Sequence, residues 1–428
     1  MNMKHLIRKQ VIWLQLDAGQ PAFTIQQVAR DYYYREILPA LEQLFDELSM
    51  KNEVVYIEKL EINLGDLGWK NDRFILDRKG IYRILVQSFG KAMAQSAGKA
   101  ESTVPVVYLT PEENACLQWM YYLENGVLPW QVHALDEIWL SQVLHQLAID
   151  HVSIENTRRK ILRDPVFLER LAREHNEIFL QQFAEVITAK AQPGLALLIK
   201  TIAKKTDPTG QETLYLEKQL WGQALLHFSS GKTSIAEENL VTVLNENIQE
   251  TIDNDNRITK EEALFCRYAG LVLLHPFFKH LFNRLGLLNE EKFRDEMARA
   301  KAAVLLHYVA TGKTEVRDYD LVIPKIFCGI PLQQLLPLPA YDLTGTEKQE
   351  AQDMILAAID QWEIMRNTSV EGLRESFLER DGRLTIKERG YEFRIETKGI
   401  DVLLDQLPWN LSLVQLPWLS RLIYVEWR

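Results

Sequence analysis

Apolar residues recur with helical spacing along most of this chain, and they alternate with polar residues near its two ends. Between about residue 111 and residue 330 the spacing predicts one helix after another. The breaks between these helices contain Pro, Gly or Asp, as at Asp164-Pro165, Pro193-Gly194 and Gly231. The middle of the chain is therefore predicted to be a helical array.

The N-terminal part is predicted to form a strand, a long helix and a second strand. Alternation of apolar and polar residues indicates strands over residues 5–17 and 54–64. Between them, residues 20–48 carry an apolar stripe with helical spacing. Pro39 lies within this stripe and predicts a kink or a break near Leu38, because proline lacks an amide hydrogen. Residues 73–98 are expected to form a further helix.

Strands return in the C-terminal part. Asp381-Gly382 is typical of a turn, and the alternation that follows over residues 384–395 predicts a hairpin with one wet face. Residues 401–407 suggest a short helix, and residues 422–427 suggest a final strand. We expect the strands of both ends to meet. The predicted fold class is α+β and predominantly α-helical, a helical array with a small β-sheet formed by strands from the N- and C-terminal regions.

The same pattern predicts three domains. Residues 1–98 would form the N-terminal strand-helix-strand unit plus a helix, and residues 108–340 a helical domain. Residues 341–428 would form a helix, a hairpin and an apolar tail that packs on the N-terminal unit.

The tail stands out because it is aromatic. Leu-Pro-Trp occurs at residues 128–130, 407–409 and 416–418, and Val-Glu-Trp at residues 425–427. Tryptophan dominates packing energies, which favours a core or protein-interface role over an aromatic shelf for a sugar ligand. The predicted structural or interface residues are Trp130, Pro408, Trp409, Pro417, Trp418 and Trp427.

Composition narrows the class of protein. The 428 residues carry a net charge of -10, which argues against nucleic-acid binding because phosphate contacts depend on clustered Lys and Arg. The 3 cysteines are widely separated, which predicts buried thiols in a reducing compartment rather than disulfides. The polar start does not suggest a signal peptide, and no apolar run approaches the length of a membrane helix. We therefore expect a cytoplasmic protein.

The search for catalytic or ligand-binding motifs is negative. Gly-Lys-Thr occurs at Gly231 and Gly312, but the positions where a phosphate loop needs its first glycine hold Leu226 and His307. Both triplets also follow predicted helices instead of strands. His275 and His280 lack the glutamate of zinc peptidases, and no Gly-x-Ser-x-Gly elbow is present. No catalytic residue, metal ligand, cofactor or small-molecule substrate is predicted.

Several segments, in order, resemble one protein family, the tape measure proteins of contractile injection systems. These systems are phage-tail-like particles such as the antifeeding prophage and the Photorhabdus virulence cassettes. The resemblance begins with KLEINLG at residues 59–65 and NGVLPW at 125–130. It continues through AGLVLLHPF at 269–277, residues 300–312, KIFCG at 325–329, residues 401–409 and the LPW and VEW segments of the tail.

The resemblance implies a non-enzymatic structural protein that sets the length of the particle's tube and sheath during assembly. Its partners would be tube, baseplate or cap proteins, and it would reside in the bacterial cytoplasm during assembly or inside the particle. The broken helical pattern leaves an alternative open, because apolar stripes favour a compact fold over an extended rod of roughly 640 Å. In that alternative the protein is an assembly chaperone or adaptor that binds these subunits without measuring length.

Overall fold

A computed structural model of the chain describes residues 7, 10–16, 22–48, 54–57, 62–65, 67–70, 73–98, 106–129, 132, 134–207, 213–237, 240, 263–387 and 390–427. The chain divides into two compact units, Met1–Ala115 and Cys116–Arg428. The predicted three-domain division and the packing of the tail on the N-terminal unit stay predictions.

The first unit contains three helices and two small antiparallel sheets within its described residues. In chain order its elements are α1 (Ala22–Tyr32), a π-helical turn (Tyr33–Ile37), α2 (Leu38–Leu48), β1 (Val54–Ile57), β2 (Trp69–Lys70), β3 (Arg73–Phe74), α3 (Arg78–Gly98) and β4 (Val106–Leu109). Strand β1 pairs with β4, and β2 pairs with β3. Helices α2 and α3 pack together around a small core of Ala40, Leu41, Leu44, Ile81, Leu85 and Phe89.

A π-helical turn lies where the kink or break is predicted, and it ends directly before Leu38 and Pro39. Proline at position 39 cannot donate the helical hydrogen bond to residue 35, so the helix changes its pitch at this point. The prediction of a strand over residues 5–17 is wrong for residues 10–16, which belong to neither helix nor strand. Within the second predicted strand, Val54–Ile57 form a strand, whereas residues 62–64 belong to neither helix nor strand; residues 58–61 lie outside the described part.

Helix α4 (Pro111–Asn125) starts with a capping box, since Thr110 Oγ1 accepts from Glu113 N and Glu113 Oε2 accepts from Thr110 N. It leads into the helical array of the second unit. The array comprises α5 (Glu137–Ile149), α6 (His151–Arg163), α7 (Pro165–Glu174), α8 (Glu177–Thr188), α9 (Leu195–Thr206) and α10 (Thr213–Ser229). The side chains of Asp136, Asp150, Asp164 and Asn176 cap four of these helices, which explains why the polar breaks in the sequence mark their starts.

The rest of the second unit combines helices with one five-stranded sheet. Its elements are β5 (Ala263–Cys266), a 3-10 helix (Ala269–Leu274), α11 (His275–Arg284), β6 (Leu288–Asn289), β7 (Lys292–Phe293), α12 (Glu296–Thr311), a 3-10 helix (Asp318–Leu321), α13 (Val322–Cys328), a 3-10 helix (Leu338–Tyr341), α14 (Gly345–Gln361), a 3-10 turn (Glu363–Met365), α15 (Val370–Leu373), a π-helical turn (Arg374–Leu378), β8 (Gly382–Lys387), β9 (Gly390–Ile395), a 3-10 helix (Gly399–Gln406), β10 (Leu413–Val414) and β11 (Leu422–Glu426). Helix α12 is almost entirely buried and lies in the core.

The sheet has the order β10-β11-β9-β8-β5. Its pairs are antiparallel except that β11 runs parallel to β9. The predicted hairpin and final strand are therefore confirmed, as is the α+β, predominantly helical fold class. The expectation that N-terminal strands join this sheet is wrong for the described residues: β1 pairs with β4, and β5, from the middle of the chain, occupies one edge. The sequence pattern shows which residues alternate, but it does not show which strands pair.

Candidate functional site

A cluster of buried charges lies between the helical array and the C-terminal part of the second unit. Asp318 is its centre and has no solvent exposure. Its Oδ2 accepts from Arg170 Nε of α7 at 3.0 Å, and its Oδ1 accepts from Lys325 Nζ of α13 at 2.6 Å. Both cations are also buried. The Asp318 carboxylate thus pairs with two cations, Arg170 and Lys325, that lie far from each other in the sequence.

The two cations use their remaining donors on main-chain carbonyls. Arg170 donates to the carbonyls of Leu123 and Gln333, and Lys325 donates to Leu332 O at 3.0 Å. Buried charges are tolerated when their hydrogen-bonding capacity is satisfied in this way. The cluster therefore connects α4, α7, α13 and the loop that follows α13.

Glu174 places a second carboxylate beside Asp318. Its Oε2 accepts from Asp318 N at 3.3 Å, and its own carbonyl accepts from Arg317 at 3.2 Å. Burial and the neighbouring Asp318 charge raise the pKa of Glu174, while burial lowers the pKa of Lys325. Burial also raises the pKa of Tyr122 far above its usual value. These shifts follow from the dry surroundings of the cluster.

Gly126 makes the close packing of the cluster possible. It follows α4 with φ +72°, in the left-handed region that side chains rarely adopt. A Cβ atom here would lie 2.8 Å from Leu332 O, 2.9 Å from Arg170 Nη2 and 2.9 Å from Asp318 Oδ2. The Asn-Gly-Val-Leu-Pro motif of the sequence thus places a glycine directly after α4, where the main chain lies against these charges.

This arrangement supports a structural role for the cluster. The Asp318 carboxylate and the Lys325 ammonium group are engaged in hydrogen bonds within the fold, and both side chains are buried. Elsewhere in the described structure, a shallow groove of about 650 Å³ lies between α5 and α8. Its polar residues, such as His145 and Glu185, are exposed or half-buried.

The tail tryptophans Trp409 and Trp418 lie on either side of α11. Trp409 Nε1 donates to Leu273 O at 2.8 Å, and its ring meets Phe277 edge-on at 5.2 Å. Trp418 Nε1 donates to Phe327 O at 2.7 Å, and its ring lies 5.4 Å from Phe282. Each indole therefore satisfies a carbonyl at the end of a helix while its ring covers apolar surface.

The other predicted site residues are placed differently. Trp427 is buried in the core, and its indole nitrogen has no hydrogen-bond partner in the described structure. Pro408 and Pro417 are exposed, so they shape the turns before the tryptophans rather than the packing. Trp130 lies outside the described residues. An interface role for these six residues stays a prediction.

The sequence interpretation did not find the charge cluster. One signal was present, because Lys325 is the single charge in the apolar run Val-Ile-Pro-Lys-Ile-Phe-Cys. Arg170 shares one helical face with the buried Phe167 and Leu171. Charged residues on apolar faces are seldom buried unless they are paired, so both positions predict partners. Their common partner Asp318 is 148 residues from Arg170, and the sequence does not reveal it.

The Gly-Lys-Thr triplets follow helices, as predicted. Gly312 caps α12 in the left-handed conformation with φ +70°, and Gly231 has φ +92° after α10. In the part of the chain that the structure describes, no group of three His, Cys, Asp or Glu residues could hold a metal ion. None of the described helices combines the length and apolarity that crossing a membrane requires.

Comparison with known proteins identifies a family. The family described as "Contractile injection system tape measure protein" matches residues 4–263 and 243–427, which together span nearly the whole chain. No curated protein and no solved structure matches this chain. The chain is a member of the contractile injection system tape measure family.

Proposed function

We propose that this protein is a non-enzymatic assembly factor of a contractile injection particle that works as a folded body and binds tube, cap or baseplate subunits. The observation that carries the proposal is the continuous core of the second unit. This core combines residues from β5, helices α11 to α14 and the tail tryptophan Trp427. A protein with such a core presents a fixed surface to its partners.

The energy of the core argues against routine extension of the chain. Each large apolar side chain contributes about 1.5–3 kcal/mol when it is fully buried. Dozens of such side chains lie in this core. Extension would also separate Asp318 from Arg170 and Lys325, which are 148 and 7 residues away in the sequence. An extended form would therefore need particle subunits that replace most of these contacts.

The charge of the protein fits protein partners. The chain has 59 acidic and 49 basic residues, so partners with basic surfaces would associate faster, and nucleic acid would be repelled. We expect no membrane, small molecule or cofactor among its partners. The expected location is the bacterial cytoplasm during assembly or the inside of the particle.

The test is co-purification followed by electron microscopy of particles. The tagged full-length protein is expressed with the tube, cap and baseplate proteins of its own system, one at a time. An assembly factor should form a soluble complex of fixed stoichiometry with one of them. In-frame removal of α5 and α6 should then reduce particle number without changing the length of the remaining tubes.

The family description favours a second candidate, a tape measure that sets the length of tube and sheath. That function predicts a proportional change of length when the chain is shortened. Duplication of residues 137–163 (α5 and α6) would lengthen every tube if these residues act as extended helix, by about 1.5 Å per residue or roughly 40 Å. Unchanged tube lengths in both the deletion and the duplication would exclude measuring and leave the assembly role.

A further inference from the structure

Residues 10–16 of the first unit form an unusually exposed apolar stretch. Trp13 is 90% exposed, Val11 55% and Ile12 52%, and Leu14 is exposed as well. These residues belong to no helix or strand. The Gln10 side chain accepts from the Tyr33 hydroxyl at 2.6 Å, which fixes the start of the stretch beside the π-helical turn. The stretch is thus anchored at one end while its apolar side chains face water.

The composition of this stretch is that of a strand. Val11, Ile12 and Trp13 have high β-propensity, and the polar Gln10 and Gln15 flank the apolar run. Short segments of this kind, when they lack a partner, add to the edge of an existing sheet through main-chain hydrogen bonds. The kind of surface that fits them is therefore a sheet edge with apolar neighbours.

The first unit itself carries such a sheet. Strands β1 and β4 pair over four residues, and within the described residues their sheet holds these two strands. Val107 and Tyr108 of β4 are 40% and 47% exposed. A two-stranded sheet is marginally stable in water, and a third strand with an apolar face would stabilise it.

Charge favours the approach of residues 10–16 to a β1–β4 sheet, and within one copy these described residues pair with no strand, so a second copy is the source of the third strand. Residues 1–16 contain Lys4, Arg8 and Lys9 and no acidic residue, whereas the whole chain has a net charge of -10. Glu112 and Glu113 lie three and four residues after the end of β4. The basic segment of one copy is therefore attracted to the sheet region of another copy, and this attraction operates in both directions in a symmetric pair.

The described core of the first unit is small, because its core cluster contains six buried residues. Large apolar side chains outside residues 10–16 are exposed as well, including Phe23, Tyr34, Ile75 and Val86. Contact with a second copy would bury part of this surface and would add to the stability of the unit.

We propose that two copies of this chain associate through their first units, and that residues 10–16 of each copy add as a strand to the β1–β4 sheet of the other. The association is a strand exchange that completes both sheets. It is independent of the particle subunit that the second unit binds.

The first test measures mass by light scattering across a range of protein concentrations. The full-length protein should be a dimer, and the double variant Ile12→Asp/Trp13→Asp should need at least about a hundredfold higher concentration to associate. The matched control is Ile138→Asp, which places the same charge on a 75% exposed isoleucine of α5 in the second unit and should leave the dimer unchanged. Circular dichroism checks that each variant is folded.

The second test distinguishes exchange between copies from pairing within one copy. Ile12→Cys and Val107→Cys are made in separate chains, which are mixed and oxidised. The native Cys116, Cys266 and Cys328 are buried and should not react. Strand exchange predicts a covalent dimer that contains one chain of each variant.

Two results would overturn the proposal. The first comes from light scattering: either the full-length protein stays monomeric at all concentrations, or the double variant does not weaken the dimer. The other is a chain with both cysteines that closes an internal disulfide at high dilution while the mixed single variants do not cross-link. That second result would mean that residues 10–16 complete the sheet of their own copy.

Discussion

Asp318 offers the sharpest test of the buried charge cluster. The substitution Asp318→Asn keeps the size of the side chain and removes its negative charge. Arg170 and Lys325, both buried, would then lack the carboxylate that lies 3.0 Å and 2.6 Å from their nitrogens. Glu174 would remain as the nearest acidic group, bonded to the Asp318 amide nitrogen.

The expected cost is large because the remaining cations cannot reach water. Removal of one partner from a buried ion pair costs about 3–5 kcal/mol. In a unit as large as Cys116–Arg428, 1 kcal/mol corresponds to roughly 1.5 °C in melting temperature. The variant should therefore melt about 5–8 °C below the unaltered protein.

The measurement is thermal unfolding followed by circular dichroism, with Asp320→Asn as the matched control. Asp320 lies two residues away and pairs with Arg267 at 3.4 Å in a half-buried position, so its loss should cost about 1 kcal/mol or less. Asp318→Asn combined with Lys325→Met should cost less than the sum of the two single changes, because the double variant removes both charges of one pair. Equal melting temperatures for Asp318→Asn and Asp320→Asn would refute the reasoning.

Three further predictions address other parts of the second unit. Gly126→Ala should lower the free energy of unfolding by about 2–4 kcal/mol, because it adds a steric clash to the strain of a positive φ. Gly231→Ala places its Cβ in open space, so it should cost only the strain, about 1–2 kcal/mol. Denaturant titration of both variants would reveal equal losses if the packing at Gly126 does not matter. Trp418→Phe should lower the free energy of unfolding by about 1–3 kcal/mol, because it leaves Phe327 O without its donor. Trp427→Phe should cost less, because that indole has no hydrogen-bond partner in the described structure. Chemical unfolding of the two variants shows which of them is less stable. Acid should destabilise the fold, because burial lowers the pKa of His175 to about 3 and that of His307 to about 4. Each histidine is protonated below about pH 6.5 only in the unfolded chain, so stability falls as the pH drops, by about 2 kcal/mol per histidine at pH 5. Burial raises the pKa of Glu174, which opposes this trend. Melting curves at pH 7 and pH 5 measure the effect, and His175→Gln should lose a large part of it; identical pH dependence in the two proteins would contradict the assignment.

Elements that begin at local sequence signals, such as capping boxes, could be predicted from the sequence. Thr110 with Glu113 and Thr344 with Glu347 form capping boxes at the starts of α4 and α14. The hairpin after Asp381 is confirmed because the alternation of apolar and polar residues marks both of its strands. Each of these elements depends on residues that are close in the chain.

The charge cluster and the sheet order could not be predicted, because both depend on distant partners. Nothing near β8 shows that Ala263–Cys266 will pair with it, and nothing near Arg170 shows that Asp318 will be its partner. The strand predicted over residues 5–17 fails for a related reason. Its alternation is real, but a strand exists only where a second strand accepts its hydrogen bonds.

The position of β11 inside the sheet has a consequence for biosynthesis. Residues Leu422–Glu426 lie between β10 and β9, so β9 keeps an open edge until they leave the ribosome. Strand β5, at the far edge, is made more than 150 residues earlier, which is roughly 8–30 s at bacterial translation rates. During that time the sheet is incomplete, and Trp427 has not yet filled the core. Interrupted translation would release chains with an exposed strand edge, which makes them substrates for chaperones and proteases. Only chains translated through these last strands can complete the second unit.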